Sequence, residues 1–288
     1  MGEERIVLVY DVGTQSSRAL LINNRGEILA KSQKHHDPPY VSLNPDWAER
    51  DAEKYYEDIC ACSRDLKKHF PDLFGRVEAA SITTIRDTVV CVDRNGKPLR
   101  PAILWLDKRM AEGKPKMSNL IRMAFKAVGM EETANLQFQK SHCNWIRQKE
   151  PEIWEKTDKY LLLSGYLVYC LTGQMADAAA SMVGHIPYES KTRNWQKQGA
   201  LTRPVFPVEE ERLCRIVESG EIFGVITEKA SADSGLPEGL PVIATGSDKA
   251  CEVMGMGCID KETAAIGLGT TATITFNIGQ QMEPERVI

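Results

Sequence analysis

Val7-Leu8-Val9-Tyr10 and Ala19-Leu20-Leu21-Ile22 are two apolar runs separated by a polar stretch from Asp11 to Arg18. Short apolar runs bounded by small and turn-forming residues read as paired strands. The pattern predicts three strands at the start, over residues 6–10, 18–23 and 26–33, with Asn24-Arg25-Gly26 as the second turn. Asp37-Pro38-Pro39 ends this meander, and a loop over residues 44–51 leads into a helix capped by Asp51. Tyr55, Ile59, Cys62 and Leu66 then recur at helical spacing, which carries that helix to about His69.

Residues 77–85 and 88–93 read as strands flanking a charged pair, Arg86-Asp87. Residues 101–107 form a short strand that ends in Trp105 and Asp107, and residues 108–130 are polar and partly helical. Helices are predicted over 144–149, 151–156 and 164–171, the last closed by Thr172-Gly173. Residues 177–182 are small and polar, and 186–206 read as loop and short helices with Trp195 as a packing anchor. A strand over 221–227 and a short helix over 230–235 precede a strand at 242–245. Gly246-Ser247-Asp248 then turns into a helix, which puts Asp248 near its N-terminus. Residues 263–266, the turn Gly267-Leu268-Gly269-Thr270-Thr271 and residues 272–277 give a hairpin that echoes the first. These elements read as an α/β protein; the family resemblance given below implies a mixed sheet flanked by helices.

Three of these turns carry chemistry: Asp11 to Ser17, Gly246 to Asp248, and Gly267 to Thr271. Hairpins rich in hydroxyls and backbone N–H groups can cup a phosphate. An acid at a strand end can hold Mg²⁺ directly or through water, and Gly13 lets the backbone approach closely. Two such hairpins with a carboxylate between them suit phosphoryl transfer, where positioning, a metal and a base at the acceptor hydroxyl are needed. Each feature also has a plainer reading. The first hairpin can be an ordinary surface turn, and Asp248 a carboxylate that stabilises its helix. Arg86-Asp87 can bind a polyol or be an ion pair at a bend. Trp105 can wall a sugar or be core.

Composition narrows the classes. Over 288 residues, 42% are hydrophobic and 26% charged, with a formal charge of −4, which points away from nucleic-acid and membrane-surface partners. No apolar stretch approaches the roughly 18 residues of a spanning helix, and the chain enters its first strand without a signal peptide, so a cytoplasmic location is expected. Eight scattered cysteines form no CxxC pair and read as reduced core thiols. The five histidines show no metal spacing, and His35-His36 reads as an exposed strand end.

The segment Asp11-Val12-Gly13-Thr14-Gln15-Ser16-Ser17-Arg18 resembles the first phosphate motif of the FGGY carbohydrate kinases, the family of glycerol kinases and xylulokinases. Gly246-Ser247-Asp248 with Ala250 and Gly255 is similar to its catalytic-aspartate motif, and Gly267-Leu268-Gly269-Thr270-Thr271 to its second phosphate motif. Asn44-Pro45-Asp46-Trp47-Ala48-Glu49-Arg50-Asp51 and the segment from Gly96-Lys97-Pro98 through Trp105-Leu106-Asp107-Lys108-Arg109 are similar to two further family segments, all in family order. Thr84-Ile85-Arg86-Asp87-Thr88 is closer to the Arg-Glu segment of glycerol kinases than to that of xylulokinases, with Asp87 one methylene shorter than Glu.

The resemblance implies an actin-like (ribonuclease-H-like) fold and ATP with Mg²⁺ phosphorylating a sugar or polyol hydroxyl. It implies Asp248 as general base and Asp11 at the metal. Arg86, Asp87, Trp105 and Asp248 would meet the substrate. Gly13, Thr14, Gln15, Ser16, Arg18, Gly269, Thr270 and Thr271 would meet the phosphates. It implies a sugar-binding lobe over residues 1–244 and the truncated beginning of an ATP-binding lobe over 245–288, and it leaves a homodimer open. Two alternatives of other kinds are a non-catalytic sugar-binding domain without nucleotide binding and a chaperone-type ATPase, which the Arg86-Asp87 and Trp105 segments disfavour.

Overall fold

The computed structural model describes residues 4–268 and 272–278. Strands β1 (Ile6–Val12), β2 (Ser16–Asn23) and β3 (Ile28–His35) form an antiparallel meander. Ile6, Leu8, Tyr10 and Val12 are fully buried while the residues between them are not, so β1 turns one face to the core at the strand period of two. β1 and β2 extend past the apolar runs because the ladder continues through Asp11↔Arg18 and Val12↔Ser17. Strand Val77–Thr84 lies parallel to β1 on its other side. Strand Pro241–Ile243 lies parallel to Val77–Thr84, and Ile222–Val225 closes the six-stranded sheet antiparallel.

Helix α1 (Ala52–His69) packs on this sheet. The Asp51 carboxylate accepts the Glu53 N–H and starts it, and Tyr55, Ile59 and Leu66 form its buried stripe. Helix Leu163–Thr172 joins the same core and ends at Gly173, whose φ of 71° an L side chain rarely adopts. A second, four-stranded sheet holds Glu49–Arg50, Ala102–Ile103, Val89–Val92 and Lys159–Leu162, with its own core around Phe138, Trp145 and Trp154.

The segment 101–107 is less strand-like than its apolar run predicts, since only Ala102–Ile103 pairs. Helix Glu131–Lys140 and strand Lys159–Leu162 were not expected from periodicity. Within 108–130 the helix is Asn119–Ala127, and 186–206 holds a small hairpin, Tyr188–Glu189 with Asn194–Trp195, before a 3₁₀ turn. Trp195 anchors that hairpin, its Nε1 donating to the Cys214 carbonyl at 2.6 Å. All eight cysteines are free and six are buried. Among the described residues no helix is long and apolar enough to cross a membrane.

Candidate active site

Three parallel neighbours, β1, Val77–Thr84 and Pro241–Ile243, point their carboxyl ends the same way. In open α/β sheets the loops beyond those ends form the ligand crevice. Here they are the hairpin after Val12, the Ile85-Arg86-Asp87 bend, and the turn into helix Asp248–Gly255. Together with Trp105 and the Val183-Gly184 pair they enclose a cleft of about 640 Å³. Gly13, Thr14, Gln15, Ser16 and Arg18 line it from the hairpin, and Arg86, Asp87 and Asp248 line it from the other loops.

The hairpin is tightly held. Gly13 N donates to Ser16 O at 2.9 Å, and a Cβ at Gly13 would stand 3.3 Å from that oxygen. Gln33 donates to Ser16 Oγ at 3.0 Å. Beneath the turn lies His36, which is buried, not an exposed strand end. Its Nδ1 lies 3.0 Å from the Thr14 carbonyl, which only accepts, so Nδ1 carries the proton. Ser17 Oγ is 2.9 Å from Nε2, and Asp58 is 3.5 Å from it. A histidine next to a second one gave no sequence signal for this brace.

Burial pushes the His36 pKa below its ordinary 6.5, although the hydrogen bond to Thr14 opposes this. With the folded value depressed, the unfolded chain binds more protons below pH 6.5, so stability is whole above that pH and falls as acid is added. His36→Asn is therefore expected to lower the melting temperature at pH 7.5 and to flatten its decline between pH 7 and 5. An identical acid slope in both proteins would mean that the ring is charged in the fold.

Asp11 is not among the cleft-lining residues. It sits just beneath them, 2.6 Å from the Arg18 guanidinium across the β1–β2 ladder. Its carboxylate is 29% exposed, so it remains reachable. Trp105 is 53% exposed, which excludes the core reading, and its Nε1 donates to Thr14 Oγ1 at 3.0 Å. The loop and segment flanking it lock together: Ala48 N donates to Asp107 Oδ2 at 2.6 Å, and Leu104 N to the Ala48 carbonyl at 3.0 Å. Arg109 bonds Asp107 and Glu49 while stacking 3.9 Å from the Trp47 ring centre. These residues act as the scaffold that presents Trp105.

Asp87 has a φ of 50° and is committed to a neighbour. His185 N donates to its Oδ1 at 3.0 Å and His185 Nδ1 to its Oδ2 at 2.6 Å. It is therefore not an ion pair with Arg86 at a bend, and Arg86 stays exposed at the cleft. Gly184 passes so close that a Cβ there would lie 2.4 Å from Asp87 Oδ1. Val183, Gly184, His185 and Lys249 are site residues that sequence pattern missed, since the small, polar segment before them carries no periodicity.

Asp248 is the first residue of its helix, with Ser247 at the cap position. Lys249 N donates to Asp248 Oδ1 at 2.7 Å. Burial pushes its carboxyl above the ordinary carboxylate range; the Lys249 N–H and the Arg86 charge pull it down, and Asp11 pushes it up. The turn is fixed by Thr83 Oγ1, which donates to the Gly246 carbonyl at 2.8 Å, and by a parallel bridge from Gly246 to Ala180. Gly269, Thr270 and Thr271 lie outside the described residues. The hairpin Ala264–Leu268 with Ala272–Phe276 does approach Lys249, whose Nζ is 4.0 Å from the Cβ position of Gly267.

Residues 6–255 match the model of the FGGY family of carbohydrate kinases, N-terminal domain. Xylulose kinase of Staphylococcus xylosus is 24% identical over 270 residues, covering 92% of this chain and 53% of that protein. L-fuculokinase of Escherichia coli is 24% identical over 268 residues, covering 90% and 54%. The chain thus spans about half the length of the curated relatives it matches. In structure it resembles gluconate kinase from Lactobacillus acidophilus, with a TM-score of 0.79 at 18% identity over 98% of this chain and 56% of that one. Plasmodium falciparum glycerol kinase with ADP gives 0.75 at 20% identity, over 95% and 54%. The fold is the actin-like one of these kinases, and the chain belongs to the FGGY family of carbohydrate kinases.

Proposed function

We propose that the cleft binds a sugar or polyol and presents one of its hydroxyls to the terminal phosphoryl group of ATP. Residues 1–244 form the sugar-binding lobe and residues 245–288 begin the lobe that closes on the nucleotide. One observation carries this: three parallel strands deliver a braced glycine-and-hydroxyl hairpin, an exposed arginine and a raised carboxylate to one cleft of about 640 Å³. That volume lies within the roughly 300–1,000 Å³ of small-molecule sites.

Asp248 takes the proton of the acceptor hydroxyl, and its raised proton affinity suits that role at neutral pH. Arg86 and Trp105 hold the sugar, one through hydrogen bonds and the other through its apolar face. Gly13, Thr14, Gln15 and Ser16 face the phosphates, with Arg18 as the nearby cation. Mg²⁺ needs only one or two carboxylates beside phosphates and water. The partly exposed Asp11 fits that donor set and would hold the ion, which when bound neutralises phosphate charge.

Calorimetric titration of the 288-residue chain with glycerol, D-xylulose, L-fuculose and D-gluconate tests this. Saturable binding of at least one polyol is expected, weakened about tenfold or more in Arg86→Ala, in line with the loss of a charged hydrogen bond. Absence of binding across the panel would contradict it.

A further inference from the structure

Lys249 follows Asp248 directly in the chain and lines the same cleft. Among the described residues that line it, Arg18, Arg86 and Lys249 are the cations. Arg18 is held 2.6 Å from the Asp11 carboxylate, and Arg86 is the cation proposed above to hold the sugar. Lys249 Nζ lies 4.0 Å from the Cβ position of Gly267, on a hairpin whose glycine-and-hydroxyl turn reads as a second phosphate cradle. In this structure the ammonium pairs with Glu252 at 2.5 Å, and the two side chains are 44% and 40% exposed. Water screens such a pair, and two long side chains must be held to make it, so it contributes little. A multiply charged phosphate can therefore take the place of Glu252.

Granted the kinase reading above, we infer that Lys249 is a second catalytic residue, whose ammonium leaves Glu252 and donates hydrogen bonds to the phosphoryl group as it is transferred. Asp248 takes the proton of the acceptor hydroxyl, and the hydroxyl oxygen forms a bond to the γ-phosphorus. The bond from that phosphorus to the β,γ-bridging oxygen breaks, and its electron pair leaves with ADP. Lys249 gives up no proton. During transfer, negative charge is spread over the three equatorial oxygens of the phosphoryl group. A cation fixed beside them lowers the barrier when its hold is stronger in the transition state than in bound ATP. An ammonium on a flexible four-carbon stem suits a group that exchanges one anion for another.

The test uses the protein with both lobes present, as wild type, Lys249→Gln and Lys249→Arg, with thermal melts to confirm folding. Steady-state rates are taken with ATP, Mg²⁺ and whichever of glycerol, D-xylulose, L-fuculose and D-gluconate turns over fastest. Lys249→Gln is expected to lower kcat about 10²- to 10³-fold, the usual loss on removing one such donor, with KM for the polyol changed less than about threefold. Lys249→Arg should recover at least about tenfold of that loss. ADP with aluminium fluoride imitates the phosphoryl group in flight. In the presence of polyol it should bind Lys249→Gln about 10²-fold more weakly than wild type, while ADP alone binds both equally. Near-normal kcat in a folded Lys249→Gln, or equal loss for ADP with and without aluminium fluoride, overturns the inference. So does a rise in the polyol KM alone, which makes Lys249 a sugar contact. In each case, polyol-dependent turnover that fails in Asp248→Asn leaves the kinase proposal standing. Wild type that phosphorylates no polyol removes both.

Discussion

Asp248→Asn is expected to slow phosphoryl transfer to a polyol by about 10²- to 10⁴-fold, the usual contribution of a general base, while polyol affinity changes only a few-fold. The amide keeps the side chain's size and can still accept the Lys249 N–H that fixes Asp248 at the helix start. It cannot take a proton. The pH dependence follows from the same group. Burial raises the Asp248 carboxyl above its ordinary 3.8, so the active, ionised form is lost on acidification sooner than for an exposed aspartate. The wild-type rate should therefore fall on the acid side through that raised value, and the Asn variant's residual rate should lack this limb. A variant with near-normal turnover would leave Asp248 as a carboxylate that merely stabilises its helix.

Gly184→Ala is expected to cost about 2–4 kcal/mol of stability, from a strained backbone and an overpacked contact together. It should also weaken polyol binding about tenfold or more. Gly184 has a φ of +152°, and the added methyl would meet Asp87 Oδ1 at 2.4 Å and Cγ at 2.8 Å. Asp87 has little room to yield. It is a non-glycine residue at φ 50°, and two bonds from His185 hold its carboxylate. Displacing it disturbs the wall of the cleft, which Asp87 lines. Denaturant unfolding and calorimetry read the two effects separately. An unchanged unfolding midpoint would show that the segment around Gly184 shifts freely.

The parts of this site that could be read from sequence are those with local chemistry. The first hairpin stands between two apolar runs, and strand–turn–helix at Asp248 follows from Val242 to Ala244 with Gly246. The mixed sheet came from the family resemblance rather than from the pattern of apolar runs. What stayed hidden depends on long-range packing. His36 braces Thr14 from 22 positions away, and His185 claims Asp87 from 98 away. Neither has a periodicity or spacing that announces it. Asp87 was expected to meet the substrate together with Arg86, and the hold of His185 on both of its oxygens had no signal in the sequence. Asp107 and Arg109 belong to a family-like segment, but their contacts with Ala48, Glu49 and Trp47 emerge only once the loop at residues 44–51 folds onto them. Strand Lys159–Leu162 was missed because its four residues run straight into a helix, leaving no turn to mark the change of period.

The central claim is that a hydroxyl of a bound polyol is activated by Asp248 at the meeting point of three strand ends. The most direct measurement incubates the protein, with both lobes present, with ATP, Mg²⁺ and the polyol panel and follows product by ³¹P resonance, wild type beside Asp248→Asn. A new sugar-phosphate signal in the wild type that is absent from the variant, with polyol binding intact in both, is the predicted result. Equal sugar-phosphate formation by the two, or ATP consumed at a rate no polyol alters, would contradict it.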